Sequence, residues 1–427
     1  MDTTAHRQDV RATALVQGGT LTKKTRKPVA TILGSAAALL GSGLIWTAGP
    51  AQAAFPGING KIACASFRDG NSEIYSFNPD GTELEPTRLT DNFASDSRPR
   101  YSPDGRQIVF ESNRSGNLEL WIMNADGSNP RQLTITGGNS SGNWSPGGDQ
   151  IVYQTTRFAG GSFEIAKINV DGTGDTRLTN NPAEDSLPAW SPDGTKIAFS
   201  SRRTDPAADV HLMNPDGTDV VDVTNSPGED SWPAFTPDGS QIVFHSRLDD
   251  PIGEEIYRIN LDGTGRTRLT FNNPQVPTIP FDIFPAVSPD GTRFVWNSGR
   301  AGGNFGEVYT ANLADGSDVR RITSNPAVDQ RCDWQPLCTI YGSGNIIGTE
   351  GDDIICGSDG PDSIAGLGGN DRILGLGGDD RINAGAGDDM VFGGLGNDSL
   401  FGGDGVDRTD GGVGLDRCLA ELMNSCP

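Results

Sequence analysis

The apolar positions of this chain come in short runs set off by turn residues, and Trp190–Phe199 (WSPDGTKIAF) shows the unit. An apolar stretch ending at Trp190, a Ser191-Pro192-Asp193-Gly194 turn and the run Ile197-Ala198-Phe199 predict two short strands joined tightly. Proline presets φ at a turn position, Asp bonds its own backbone, and Gly takes φ > 0 without a Cβ clash. The unit recurs as YSPDGRQIVF from Tyr101, WSPGGDQIVY from Trp144, FTPDGSQIVF from Phe235 and VSPDGTRFVW from Val287.

A second hairpin follows each copy. An Asp-Gly pair stands at Asp80, Asp126, Asp171, Asp216, Asp262 and Asp315. An aliphatic residue and Thr then end a strand at Leu89-Thr90, Leu133-Thr134, Leu178-Thr179, Val223-Thr224, Leu269-Thr270 and Ile322-Thr323. The period is 44 to 46 residues, with one unit stretched to 53. Four strands in a period of that length predict a β-propeller blade, and the landmarks count six blades over residues 55–337. The first residues of this span, Asn59–Ser66 (NGKIACAS), match the second strand of the unit. The missing first strand is at the far end, in QRCDWQPL from Gln330. The two ends therefore close one composite blade, which leaves no open sheet edge.

Beyond residue 347 the period falls to nine and the composition shifts to Gly and Asp: GTEGDDIIC, GSDGPDSIA, GLGGNDRIL, GLGGDDRIN, AGAGDDMVF, GGLGNDSLF, GGDGVDRTD, GGVGLDRCL. The sixth position is always Asp: Asp353, Asp362, Asp371, Asp380, Asp389, Asp398, Asp407 and Asp416. Each supplies a hard oxygen, and the glycines let the backbone turn tightly and offer carbonyls, the ligand set that Ca2+ requires. The eighth position (Ile355, Ile364, Ile373, Ile382, Val391, Leu400) is placed to point inward from a short strand, and Thr409 and Cys418 mark a fading end. Residues 348–427 hold sixteen acidic and four basic residues, so this segment should need several Ca2+ ions to fold against its own repulsion.

These motifs carry two resemblances. The hairpin repeats resemble the TolB-like propellers of the wider WD-like group, over roughly two-thirds of the chain; that resemblance implies a six-bladed propeller outside the cytoplasm that works by binding. The nonapeptides resemble the RTX, or haemolysin-type, calcium-binding repeats. That family implies a parallel β-roll with two nonapeptides per turn, so about four turns here.

The N-terminus places the protein outside the cytoplasm. Lys23, Lys24, Arg26 and Lys27 precede an apolar run from Val29 to about Gly49, and Ala51-Gln52-Ala53 supplies a small-x-small cleavage site. Residues 1–53 read as a secretory signal peptide rather than a membrane anchor, because Gly and Ser interrupt the run. Their removal takes away six basic and two acidic residues, leaving the mature chain near −27 against −23 for the whole. Such acidity argues against nucleic acid or an anionic membrane as partner, and no membrane span remains after cleavage.

Six cysteines in an exported chain predict disulfides, although six allow fifteen connectivities. Aligning the blades puts Cys64 and Cys332 opposite each other on adjacent strands, where a bond would lock the ring. Sequence proximity suggests Cys338–Cys356 at the domain junction and Cys418–Cys426 as an end clasp in the 338–427 roll.

Candidate chemistry in the propeller is sparse. One polar residue precedes each innermost strand in register: Asp96, Asn139, Asp185, Asp230, Asp282 and Asp329. Such a ring could bind a cation or a basic peptide terminus at a channel mouth; the simpler reading is that each caps a turn. Arg68, Arg114, Arg157, Arg203 and Arg300 recur after the second strand, which says structure. Gly138–Gly142 (GNSSG) meets the nucleophile-elbow pattern outside a strand-to-helix turn. The mature chain has two histidines, His211 and His245, which argues against a multi-His metal site. No catalytic residue is assigned.

The whole reads as an exported all-β protein, a six-bladed propeller followed by a Ca2+-binding parallel β-roll. The propeller serves as a binding or scaffold module for an unidentified protein, peptide or glycan at its face. The competing class is an extracellular carbohydrate-active hydrolase or lyase working at the channel mouth. His211 and the stretched unit around Pro274–Phe284 are the places where such a site would stand.

Overall fold

The Ser-Pro-Asp-Gly turns close through backbone hydrogen bonds and the Asp side chain together. The Ser191 N–H donates to the Lys196 carbonyl at 2.8 Å, and the Gly194 N–H reaches back to the Ser191 carbonyl at 3.0 Å. Asp193 Oδ1 accepts the Thr195 N–H at 3.0 Å, and Gly194 sits at φ +67°, where any Cβ would be strained. In this computed structural model, which describes residues 57–82, 86–158, 161–249, 253–271, 281–301, 306–424 and 426, such turns join the first two strands of four-stranded antiparallel sheets. The signal-peptide reading of residues 1–53, and residues 274–280 of the stretched unit, lie outside the described residues.

We number the blades by their inner strands: Asp96–Tyr101, Asn139–Trp144, Asp185–Trp190, Asp230–Phe235, Asp282–Val287 and, for blade 6, Asp329–Leu337. Each inner strand contacts the next, and the sixth returns to the first, so the sheets close a ring. Blade 6 is the composite one: Asp329–Leu337 pairs antiparallel with Ile58–Ser66 from the other end of the propeller. Cys64 and Cys332 are disulfide-bonded there, 268 residues apart in sequence, and Cys338–Cys356 and Cys418–Cys426 are bonded as well.

Six buried apolar clusters fill the six blade interfaces. Between blades 1 and 2, for example, Val109, Leu120 and Ile122 meet Trp144, Ile151 and Tyr153. Removing one such side chain, as in Ile151→Ala, would cost about 2–5 kcal/mol through the cavity it leaves. The recurring Thr has its own task. Thr134 Oγ1 accepts the Leu120 N–H at 2.9 Å and donates to Glu119 at 2.7 Å, which ties the outermost strand to the third. The same bridge joins Thr90 to Glu73, Thr179 to Glu164, Thr224 to Asp209, Thr270 to Glu255 and Thr323 to Glu307.

The C-terminal segment is two parallel sheets of six and five strands. Residue i pairs with i+18, as in Ile355 with Ile373 and Ile364 with Ile382, so two nonapeptides make each turn. Ile346, Ile355, Ile364, Ile373, Ile382, Val391 and Leu400 stack as its thin apolar core. The roll is fastened to the turns of blades 1–3. Arg372 is buried, lies over the Phe392 ring, and donates to the carbonyls of Pro192 (3.0 Å) and Pro146 (3.1 Å). Arg106 of blade 1 donates to the Gly357 carbonyl at 2.7 Å.

Candidate functional site

The stacked turns of the roll bring the eight Asp residues into rows, and they divide into two kinds. Asp371, Asp380, Asp389, Asp398, Asp407 and Asp416 each accept, through Oδ1, the backbone N–H of the Asp one turn earlier, at 2.8–3.0 Å. The Oδ2 of each is buried and has no hydrogen-bond partner. Asp353 and Asp362 differ because Thr349 and Ser358 precede them. Asp353 Oδ2 accepts the Thr349 N–H and hydroxyl at 2.6 and 2.8 Å, and Asp362 Oδ2 accepts those of Ser358 at 2.6 and 2.9 Å.

An anionic oxygen left unpaired in each of six successive nonapeptides calls for a cation. Burial first, and the neighbouring carboxylates second, push Asp380 and Asp389 up to about 7 and Asp371 and Asp398 to about 6, against the opposing backbone hydrogen bonds. Among the described residues no group of three or more His, Cys, Asp or Glu side chains converges on one point. An ion held here must therefore complete its shell from backbone carbonyls, as hard oxygen-seeking Ca2+ does. The glycines leave room for this: a Cβ on Gly396 would lie 1.9 Å from the Gly378 carbonyl oxygen.

The six polar residues in register before the inner strands do not face an open mouth. Asp96, Asn139, Asp185, Asp230, Asp282 and Asp329 are all 0% exposed. Arg114, Arg203, Arg300 and Arg68 pair with Asp96, Asp185, Asp282 and Asp329 at 2.5–3.0 Å. In blade 2 the Asp is replaced by Asn139, which donates to Glu119 at 2.7 Å, and Arg157 pairs with Asp175 instead. In blade 4 Leu248 stands in the Arg position, and Asp230 pairs with Arg266 at 2.9 Å. In five blades the cation beside this column is thus an arginine of the same blade.

Two positions further along each inner strand, the chain forms a bulge in the left-handed region: Arg98 (φ +49°), Ser141 (+53°), Leu187 (+55°), Trp232 (+61°), Phe284 (+58°) and Arg331 (+55°). Non-glycine residues there are strained by about 1–2 kcal/mol each. A side chain from the preceding blade captures the amide in five cases. Ser141 N–H donates to Glu111 (2.6 Å), Leu187 to Gln154 (2.8 Å), Trp232 to Ser200 (3.2 Å), Phe284 to His245 Nδ1 (3.5 Å) and Arg331 to Asn297 (2.8 Å). His245 is therefore a neutral acceptor, and burial, with Arg247 adding, pushes its imidazole down to about 3.

These bulged residues form a cluster that sequence reading missed. The Arg98 guanidinium pairs with Glu111 at 2.7 Å and crosses to lie 5.1 Å from the Trp232 ring, three blades away. Trp232 and Phe284 pack with centroids 4.4 Å apart, and Arg331 lies 5.2 Å from Phe284 and 6.0 Å from Trp232. The available signal was one column that varies (Arg, Ser, Leu, Trp, Phe, Arg) between columns that repeat. Ser141, which follows the Ser140 that the elbow-like pattern would make the nucleophile, is part of this ring and accepts from Arg98 at 3.1 Å. His211 is placed elsewhere, buried beside Asp209 and 3.8 Å from Asp222.

Comparison with known proteins agrees with this architecture. The TolB beta propeller domain model matches residues 49–187 and 173–282, and the RTX calcium-binding nonapeptide repeat model matches four times between 340 and 418. A protein TolB homolog of Chlorobium luteolum is 36% identical over 143 residues, 34% of this chain and 32% of its own. An uncharacterized protein of Agrobacterium fabrum is 32% identical over 148 residues, 31% of this chain and 48% of its own. The matches thus span less than half of these relatives' lengths. The crystal structure of TolB from Acinetobacter baumannii superposes with a TM-score of 0.55 at 17% identity, covering 65% of this chain and 67% of that one, a likeness of fold. The chain belongs to the TolB β-propeller family and carries RTX calcium-binding nonapeptide repeats behind its propeller.

Proposed function

We propose that this is an exported calcium-binding protein of the cell envelope or the surrounding medium, in which Ca2+ folds the roll and the propeller binds a partner. The row of buried, unpaired Oδ2 atoms on Asp371, Asp380, Asp389, Asp398, Asp407 and Asp416 carries the reading. Those carboxylates, with glycine-rich backbone carbonyls, would hold the ions; bound Ca2+ supplies the positive charge that the acidic segment lacks. Asp353 and Asp362 are already satisfied by Thr349 and Ser358 and would contribute less. The signal-like N-terminus, the three disulfides and the acidity of the chain support a place outside the cytoplasm. The partner is a protein, peptide or glycan at the propeller face.

Titration of the mature chain with Ca2+, followed by circular dichroism with Mg2+ as control, tests the calcium part. Strand signal should appear with a midpoint of roughly 10⁻⁴ to 10⁻³ M, the range of extracellular calcium modules. A spectrum indifferent to Ca2+ would sink it.

A further inference from the structure

The cluster of bulged residues holds more positive charge than its carboxylate neutralises. Glu111 is committed to Arg98 and to the Ser141 amide. Arg331 makes no ion pair among the described residues, and its Nε is buried without a partner. A half-buried guanidinium that is stacked but unpaired gives up hydration with nothing in exchange. The fold does not require it, since Ser141 and Leu187 fill the same position in other blades. Its backbone is also held firmly: the Arg331 amide is bonded to Asn297, and the next residue, Cys332, is bonded to Cys64. A rigidly held charge beside an aromatic pair is a preorganised recognition element.

We propose that this cluster binds a carboxylate carried next to an aromatic or aliphatic group, as at the C-terminal residue of a peptide. Arg331 is the charge partner, and half-buried Phe284, backed by the buried Trp232 ring, forms the apolar platform. The planar fork of Arg331 suits bidentate pairing with a carboxylate. One uncommitted guanidinium matches a monoanion. The adjoining cavity, among Arg98, Arg100, Ser141, Leu187 and Trp232, is about 30 Å³, room for little more than a water, so the ligand goes no deeper than this cluster. The proposal rests on the propeller being a binding module and adds the ligand class.

The test uses the mature chain in Ca2+, with N-acetylphenylalanine, its neutral amide and inorganic phosphate as probes, followed by calorimetry and tryptophan fluorescence. The acid should bind about tenfold more tightly than the amide, and added salt should weaken it. Arg331→Gln should erase the preference while melting as the wild type does, and Arg331→Lys should restore part of it. Equal binding of acid and amide overturns the proposal. So does no binding of the acid up to about 10 mM, tighter binding of phosphate, or a preference that survives Arg331→Gln. The calcium-induced strand signal, read on the same samples, is independent of these residues. Its loss would count against the calcium reading alone, and a flat probe titration with that signal intact would count against this site alone.

Discussion

Asp175 and Arg266 occupy the same position of the outer hairpin, in blades 2 and 4, and carry opposite charges because each completes an ion pair that its blade would otherwise lack. Arg157 has lost its usual Asp to Asn139 and pairs with Asp175; Asp230 has lost its usual Arg to Leu248 and pairs with Arg266. The two substitutions keep buried charge matched within each blade. A buried carboxylate without its partner is far costlier than the pair removed whole.

Arg266→Met should therefore destabilise the propeller by about 3–5 kcal/mol, because it strands Asp230, which is 0% exposed. Adding Asp230→Asn should recover much of that loss. Urea unfolding of the two single variants and the double variant measures the coupling. If the double variant loses as much as the sum of the singles, the pair is not the unit argued here.

The division of the calcium row predicts unequal effects. Asp389→Asn should weaken the Ca2+ response of the roll more than Asp353→Asn, since Asp389 Oδ2 is unpaired and Asp353 Oδ2 is bonded to Thr349. Glycines divide likewise. At Gly396, φ is +134° and a Cβ would strike the Gly378 carbonyl, whereas at Gly351 it would meet only Thr349 Oγ1 at 3.9 Å. Gly396→Ala should raise the calcium midpoint several-fold and Gly351→Ala should leave it nearly unchanged. Equal midpoints would mean that the stacked carbonyls do not form the cradle.

The Cys64–Cys332 bond ties the two ends of the propeller across 268 residues. Replacing both by Ala should cost about 2–5 kcal/mol and make blade 6 the first to open, since its sheet alone is assembled from both ends of the ring. Hydrogen exchange should show Ile58–Ser66 losing protection before the inner strands of blades 2–4. Uniform loss of protection would assign the bond no local role.

How much of this was legible in the sequence depends on how far apart the interacting residues lie. Turn chemistry is local, so Ser191–Gly194 and its copies announced the hairpins, and the period announced the ring. The composite blade was readable because its halves match one template. The nonapeptide Asp column was equally plain, yet nothing in the pattern separated Asp353 from Asp389; that needed the Thr349 hydroxyl in place. The Asp96 column is visible in the sequence but its partners are not, because the arginines lie 18 residues away for Asp96, Asp185 and Asp282 and 261 residues away for Asp329. The Arg98–Trp232 contact spans three blades, and only the closed ring brings it about.

His245 gives the last prediction, on pH. Its folded value lies near 3 against 6.5 for the free side chain, so the unfolded chain binds the proton and the folded one does not. Its contribution is whole above pH 6.5 and is lost as pH falls towards 3. Gln154 does the same amide-accepting task in blade 2 with no proton to take up. His245→Gln should thus match wild type near pH 7.5 and exceed it by about 2 kcal/mol at pH 5, at saturating Ca2+. The buried Asp–Arg pairs respond to acid in both proteins and cancel in the difference. Urea midpoints that stay parallel from pH 7.5 to 5 would show that His245 takes up its proton in the folded state, and its role as a neutral acceptor for Phe284 would fall.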